Sequence, residues 1–571
     1  MSFQLDRSCD KWRQPLRNIA VARSVHNPID DVTTYRLIMN CIRHTFHPKL
    51  KNIPIFTYGK SSPGALIVAA PGKPIRVEWF NALAGTNLND IIEFGDRQGM
   101  EEDHMLAVPH NVPHLHGARV PWTSDGFPEH VIHPNESHLY YYPNQQSAGT
   151  LWYHDHAMMV TRLNVYAGLF GGYVLREPKE DTILPAGVLE LALVLQDKSF
   201  SNDGKKLWYA QVLDDGAGNA TPEFIGDYPV VNGQIWPITR LRPRIYRIRL
   251  WNGANTRFFN LSFSRESDPG DKLTFAVIGM EGGFLPRPAQ HLTELLLAPG
   301  ERADVLLDLR GSKGTDIILR NNASIPYSND DATIDPNDAC DELLRMQVRG
   351  TKSIDDERFD PVTISLPVRV DPLQPAPPLR SSFTAIEAAV RAVPFSELVR
   401  KNINVSGLTF TLRRFKLQEY QVEMPTAPGN PVPTVLINEK SWETDSADPS
   451  IVTVKKDSYE VWEFQNVTPD THPMHIHLVQ FQVMSRISLN TKPGVPHLPE
   501  LPEPVDITDY AGAGVSPPEF EQGWKDTVRC NPNESTLLLM RFDGFTGEYV
   551  YHCHILEHED MGMMFRVRVE P

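Results

Sequence analysis

Four histidine pairs in this chain share one spacing: His114-Leu115-His116, His154-Asp155-His156, His475-Ile476-His477 and His552-Cys553-His554. With 20 histidines in 571 residues, composition alone supplies roughly one such pair. Residues i and i+2 of an extended strand face the same side, so each pair aims two imidazoles in one direction. A single pair of this kind is more often an ordinary surface or core feature. Four pairs, two late in the first part of the chain and two in the last, can line a single cavity. Imidazole suits copper, zinc, iron and nickel, so ligand type does not name the metal.

The segment YHCHILEHEDMGMM, residues 551–564, narrows the choice. His552 and His554 share one face of a strand and Cys553 points to the other. His558 and Met563 follow at intervals that a loop can fold back, and His472 stands just before the third pair. Taken singly, a buried cysteine is an inert small hydrophobe and Met561, Met563 and Met564 are core packing. Two imidazoles, a thiolate and a weak thioether together make a blue-copper electron-transfer site. Cys553 would then be joined through short backbone paths to histidines of the cavity.

The elements that must position these residues read as β-structure. Residues 65–81, 230–252 and 435–466 share a plan: an apolar start, a turn or loop, then an alternating strand ending near an aromatic residue and Asn. Alternation such as Arg247-Ile248-Arg249-Leu250 predicts a half-buried strand. Three copies predict an all-β chain of three Greek-key β-sandwich domains. The expected boundaries are 1–178 for the first domain and 179–350 for a second that carries no ligand. A Pro-rich linker covers 351–405 and the third domain 406–571. A short helix is expected in the linker, from Phe383 to Val399.

Bulk properties exclude several classes. The net charge of −16 leaves no Lys/Arg stripe to neutralise phosphates, so nucleic acid is not an expected partner. No apolar stretch has the length to cross a bilayer. The first residues are polar and lack the apolar core of a secretory leader, so the sequence as written reads as cytoplasmic; a secreted or spore-associated mature form is the other option. Five cysteines are no disulfide framework, although one pair among Cys9, Cys41, Cys340 and Cys530 stays open.

PHLHGARVPWTSDG, TLWYHDHAM, THPMHIHLVQFQV and YHCHILEHEDMGMM resemble the four copper-binding motifs of multicopper oxidases. Within that family the chain is most similar to the branch of spore-coat laccase, phenoxazinone synthase and bilirubin oxidase. The likeness runs from about Leu37 to Arg568 and includes TRLNVYAGLFGGY, VNGQIWP and GWKDTV. It implies cupredoxin-like domains and four coppers per chain. A type 1 copper would be held by His472, Cys553 and His558 with Met563 axial, and a type 2 copper by His114 and His475. His116, His154, His156, His477, His552 and His554 would hold a type 3 pair. The implied reaction is one-electron oxidation of a phenol, aminophenol or bilirubin-like donor coupled to reduction of O2 to water. The expected partners are O2 and a small aromatic reductant, and the expected state is a monomer.

Asp125 and Glu559 match acidic residues near the cluster in the spore-coat laccases, which implies a proton relay. The plainer readings are an Asp-Gly turn for Asp125 and a structural carboxylate for Glu559. The chain departs from that branch at residues 321–336, where a disulfide pins a loop in the relatives and no cysteine occurs here. Cys340 has no evident partner. The competing functions are a metal-ion oxidase, a copper-binding coat or storage protein without turnover, and a copper nitrite reductase, for which the six type 3 ligands would be pointless.

Overall fold

A computed structural model of the chain describes all residues except 1–2, 27–31, 96–108, 211–212, 215–219, 222, 330–337, 352–357, 368–381, 396–399, 424–430, 441, 443–450 and 494–504. Much of the expected linker, and part of the loop at 321–336, therefore lie outside the described residues.

The three sequence repeats become three copies of one strand arrangement. β1 (Thr33–His44) runs parallel to β2 (Ile75–Asn81). β2 alternates buried Ile75, Val77 and Trp79 with partly exposed neighbours, the period-2 pattern of a strand with one face on the core. The first unit continues through β3 (Pro113–His116), β4 (Gly149–Asp155), α1 (Thr161–Ala167) and β5 (Phe170–Leu175). In the second, β6 (Glu190–Phe200) runs parallel to β7 (Ile245–Asn252), which pairs antiparallel with β8 (Arg302–Asp308). After a helix α2 (Phe383–Arg391), β9 (Leu408–Glu423) runs parallel to β10 (Tyr459–Asn466). The third unit is completed by β11 (His472–Ile476), β12 (Thr527–Cys530), β13 (Glu534–Arg541), β14 (Gly547–Cys553), α3 (Leu556–Asp560) and β15 (Met564–Glu570).

The asparagine that closes each repeat performs the same task three times. Asn81 Nδ2 donates to the carbonyls of Pro109 and Ile132, Asn252 Nδ2 to those of Arg257 and Leu297, and Asn466 Nδ2 to those of Asp470 and Cys530. Each Oδ1 accepts from the backbone N–H two residues on, at Leu83, Ala254 and Thr468. A buried amide with all three bonds made satisfies loop groups that no strand partner reaches. These are three cupredoxin-like β-sandwiches in one all-β chain, with Trp79, Leu250 and Trp462 in their separate cores.

Two details depart from the sequence expectations. β7 is buried on both faces, because Arg247 and Arg249 pair with Asp304, Glu180 and Glu190 beneath the first unit. Arg249 also donates to Thr150 Oγ1 of β4 (2.7 Å), which explains why an alternating pattern of charges belongs to an interior strand. The helix expected to reach Val399 ends at Arg391, just ahead of Pro394, which disfavours helical backbone before it; residues 396–399 fall outside the described ones. All five cysteines are free thiols, so the open disulfide does not form.

Candidate metal centres

β3 and β4 lie side by side, with His114 opposite His154 and His116 opposite Trp152. β11 pairs with β14 so that His475 faces His552 and Met474 faces Cys553. The two sheets bring all eight paired imidazoles into one buried cavity between the first and third units, each no more than 1% exposed. His114 stacks on His477 with ring centroids 3.9 Å apart, and His116 on His475 at 3.6 Å. Three sets present donor atoms within 4.8 Å of one another: His114 with His475 and His477, His114 with His116 and His154, and His156 with His477 and His552. His554 closes the ring, 4.9 Å from His116 and 5.3 Å from His154 between centroids.

The shell behind these rings fixes which nitrogen is free. His114 Nδ1 lies 2.6 Å from the Asp125 carbonyl, His475 Nδ1 2.7 Å from that of Asp526 and His154 Nδ1 2.8 Å from that of Asp155. His477 Nδ1 meets Asp125 Oδ2 at 2.7 Å. Glu559 spans two rings, 3.3 Å from His156 Nδ1 and 3.1 Å from His552 Nδ1. His116 is turned the other way: its Nε2 meets Asp526 Oδ1 (3.1 Å) and Thr527 Oγ1 (3.0 Å), leaving Nδ1 toward His154. A nitrogen held by an acceptor carries the proton and leaves the other lone pair for a metal. The opposite nitrogens His114 Nε2 and His475 Nε2, together with both nitrogens of His554, have no hydrogen-bond partner. Buried polar atoms are seldom left so, and their convergence fits bound metal.

Burial pushes His114, His116, His475, His477 and His554 well down, His156 to about 4 and His154 to about 3, so protons compete weakly for their lone pairs. For Glu559 burial acts against ionisation, but the His156 and His552 rings overcome it and hold the carboxyl well below its usual range. Asp125 goes the other way, pushed well up by burial. The two carboxyls therefore differ in proton affinity while touching the same cavity.

On the far face of β14, Cys553 Sγ lies 3.6 Å from His472 Nδ1 and 3.7 Å from His558 Nδ1, and the two nitrogens are 3.3 Å apart. His472 Nε2 is held by Thr468 Oγ1 at 2.8 Å. Met563 is buried beside them, its N–H donating to the His558 carbonyl (2.9 Å) and its carbonyl accepting from Cys553 N–H (3.0 Å). Burial pushes the Cys553 thiol up, so the thiolate needs a cation to form. Two imidazoles and a sulfur in a triangle, with a thioether nearby, fit copper better than a hard cation.

The twelve candidate ligands, Asp125 and Glu559 thus lie at or beside the two centres. The sequence did not single out Asp526, held by Arg302 of β8 through two hydrogen bonds of 2.7 and 2.6 Å, although GWKDTV lay within the likeness. Nor did it single out Glu223, whose Oε1 lies 3.8 Å from His558 Nε2, the nitrogen turned away from Cys553. Glu419 and Asp470 add to the burial that pushes the Glu223 carboxyl up, and burial raises them in turn to about 8 and about 6. Three carboxyls spread over almost 250 residues leave no local sequence signal.

The multicopper oxidase family pattern matches residues 107–180 and 415–571. The chain is 33% identical over 552 residues to a laccase of Bacillus subtilis (strain 168), covering 93% of each. Its fold is similar to that of the McoA multicopper oxidase from the hyperthermophile Aquifex aeolicus, with TM-score 0.67 and 24% identity over 98% of this chain and 100% of that one. A multicopper oxidase from Campylobacter jejuni, described as a metallo-oxidase, superposes with TM-score 0.67 at 21% identity, covering 100% of this chain and 98% of that one.

Proposed function

The chain belongs to the multicopper oxidase family, and from that premise we propose that it is a laccase-like enzyme oxidising phenolic, aminophenolic or bilirubin-like donors with O2. His472, Cys553, His558 and Met563 would hold the type 1 copper and His114 and His475 the type 2. His116, His154, His156, His477, His552 and His554 would hold the type 3 pair, making four coppers per chain. When bound, the coppers supply one-electron acceptance at the first site and reduction of O2 to water at the other three.

The observation that carries this reading is the register Met474↔Cys553 beside His475↔His552. It puts the thiolate ligand and the cavity ligands on opposite faces of one strand. Electrons leaving Cys553 have only its own backbone to cross before reaching His552 or His554. The Cys553 carbonyl also accepts from His552 Nδ1 (3.0 Å), which adds a hydrogen-bonded path.

Reduction of O2 to water consumes protons, and this chain's own carboxyls stand where they are needed. Asp125, its carboxyl pushed up by burial, accepts from His477 Nδ1 through Oδ2 and can take up a proton on Oδ1. Glu559, ionised between His156 and His552, can receive one and pass it inward. The boundaries 1–178, 179–350 and 406–571 assign all ligands to the first and third domains and leave the second to brace them.

Copper loading with an absorption spectrum and oxygen uptake on a phenol tests the assignment. Strong absorption near ~600 nm with uptake is expected of a thiolate-bound blue copper. Absorption without uptake would leave a copper store, and reduction of nitrite in its place would indicate a nitrite reductase.

One observation favours a second reading, oxidation of a reduced metal ion: the Glu223 carboxyl lies 3.8 Å from His558 Nε2, with Glu419 and Asp470 close enough to Glu223 to act on its charge. A cation there would offset the burial that, with the neighbouring carboxyls behind it, pushes the Glu223 carboxyl up. Glu223→Gln is then expected to slow oxidation of ferrous ion severalfold while leaving phenol oxidation intact. Equal effects on both donors would remove this reading.

A further inference from the structure

α3 carries His558 on only five residues, too short to hold its own geometry in water. Its two flanking carboxylates are gripped by different parts of the molecule. Glu557 accepts from Tyr209 Oη (2.9 Å), Asn255 Nδ2 (2.8 Å) and Thr256 Oγ1 (2.7 Å), all from the second unit. Asp560 accepts from the backbone N–H groups of Thr161 (3.1 Å) and Arg162 (2.9 Å) and from the Arg162 guanidinium (2.8 Å), all from the first. The start of α1 has no side-chain cap of its own, so Asp560 supplies one from another unit.

The two grips are joined. Asn255 Nδ2 also donates to the Arg162 carbonyl (3.1 Å), and the Asn255 carbonyl accepts from Leu556 N–H (3.1 Å). Further along α1, Asn164 Nδ2 donates to Asp155 Oδ1 (3.0 Å), between His154 and His156. One connected network thus runs from the helix bearing His558 to the strand bearing two cavity histidines. Glu557 and Asn255 are no more than 3% exposed, and the Asp560 side chain is 1% exposed.

We propose that Glu557 and Asp560 are positioning residues that lock His558 against Cys553, so that the thiolate site acquires its working geometry only when all three units are docked. Neither touches the donor or the thiolate; each acts through α3. The proposal rests on His558 being a ligand of the thiolate site. Loss of the absorption near ~600 nm in the wild type would break that assignment, whereas a normal wild type with normal variants would break the clamp alone.

The test uses the full chain, copper-loaded, as wild type, Glu557→Gln and Asp560→Asn. Both variants are expected to bind copper with a displaced blue absorption maximum and an altered reduction potential. Turnover of a phenol should fall about tenfold at unchanged KM, the scale of a small misplacement of a working group. Asp560→Asn should act more strongly, because its amide must face backbone N–H groups that cannot turn away. Arg413→Lys disturbs a buried pair, Arg413 with Glu460, that shares no residue with the contacts of α3. It should lower Tm with absorption and potential unchanged. Variants that lose Tm but keep the wild-type absorption and potential overturn the proposal, as does an equal shift from Arg413→Lys. Should the carboxylate variants fail to fold, Tyr209→Phe and Thr256→Val, which each remove one donor, must shift the same signals in the same direction. Unchanged signals there also overturn it.

Discussion

The thiolate site and the imidazole cavity occupy opposite faces of β14, yet they are assembled in different ways. All four candidate ligands of the thiolate site come from residues 472–563, on strands and loops of one sandwich. The cavity joins ligands from β3 and β4 to others from β11 and β14, and its supporting groups come from all three units, Arg302 of the second included. The first can gather its ligands as the third sandwich folds, and docking of the other two units then sets the angle of His558 through the contacts of α3. The second exists only once the sandwiches have docked, and its geometry is held by carboxylates instead of by one core.

This contrast can be broken most sharply at Cys553. Cys553→Ser should abolish the absorption near ~600 nm and cut phenol turnover by on the order of a thousandfold or more, since a hydroxyl is a poor substitute for a soft thiolate. The cavity should still take up copper, visible as a type 2 signal in electron paramagnetic resonance. Loss of both centres would show that they are not separately built.

Asp526→Asn probes the opposite side. Removing one partner of the buried Arg302–Asp526 pair is expected to cost about 3 kcal/mol in denaturant unfolding, because it leaves a buried guanidinium uncompensated. Copper should be lost from the cavity before the blue site. Simultaneous loss of both coppers would contradict the division.

Glu559→Gln should keep the blue absorption and slow reoxidation by O2 about a hundredfold, the usual scale of a lost proton-transfer group. Stopped-flow reoxidation of the reduced protein reads this directly, and an unchanged rate would reduce Glu559 to a structural bridge between His156 and His552. The smallest effect is expected at Thr468→Val. It removes the hydrogen bond to His472 Nε2 and should cost about 1 kcal/mol in stability, with a slight change in the blue spectrum and none in the cavity.

Most of the site was legible because its logic is local. The i, i+2 histidines and the Cys553 between two of them state their own geometry once a strand is assumed, and the strands came from period-2 alternation such as Ile75, Val77 and Trp79. The closing asparagines were visible as a repeat, although only the structure reveals their shared bonding. What could not be read was long-range pairing. Arg247 and Arg249 look like solvent-facing residues until the first unit covers them. Glu223 meets His558, Asp526 meets His116 and Arg302 meets Asp526 across more than 200 residues of sequence, and no periodicity carries such information. Glu557 and Asp560 stand beside His558 in the chain, but their partners Asn255 and Arg162 do not.

The most direct test of the central claim is the stoichiometry of donor oxidation to O2 consumption in the fully copper-loaded protein. An oxidase that gathers single electrons at the thiolate site and spends them at the imidazole cavity should oxidise four one-electron donors for each O2, with water as the sole product. Two donors per O2 with accumulating hydrogen peroxide, or donor oxidation without O2 uptake, would contradict it.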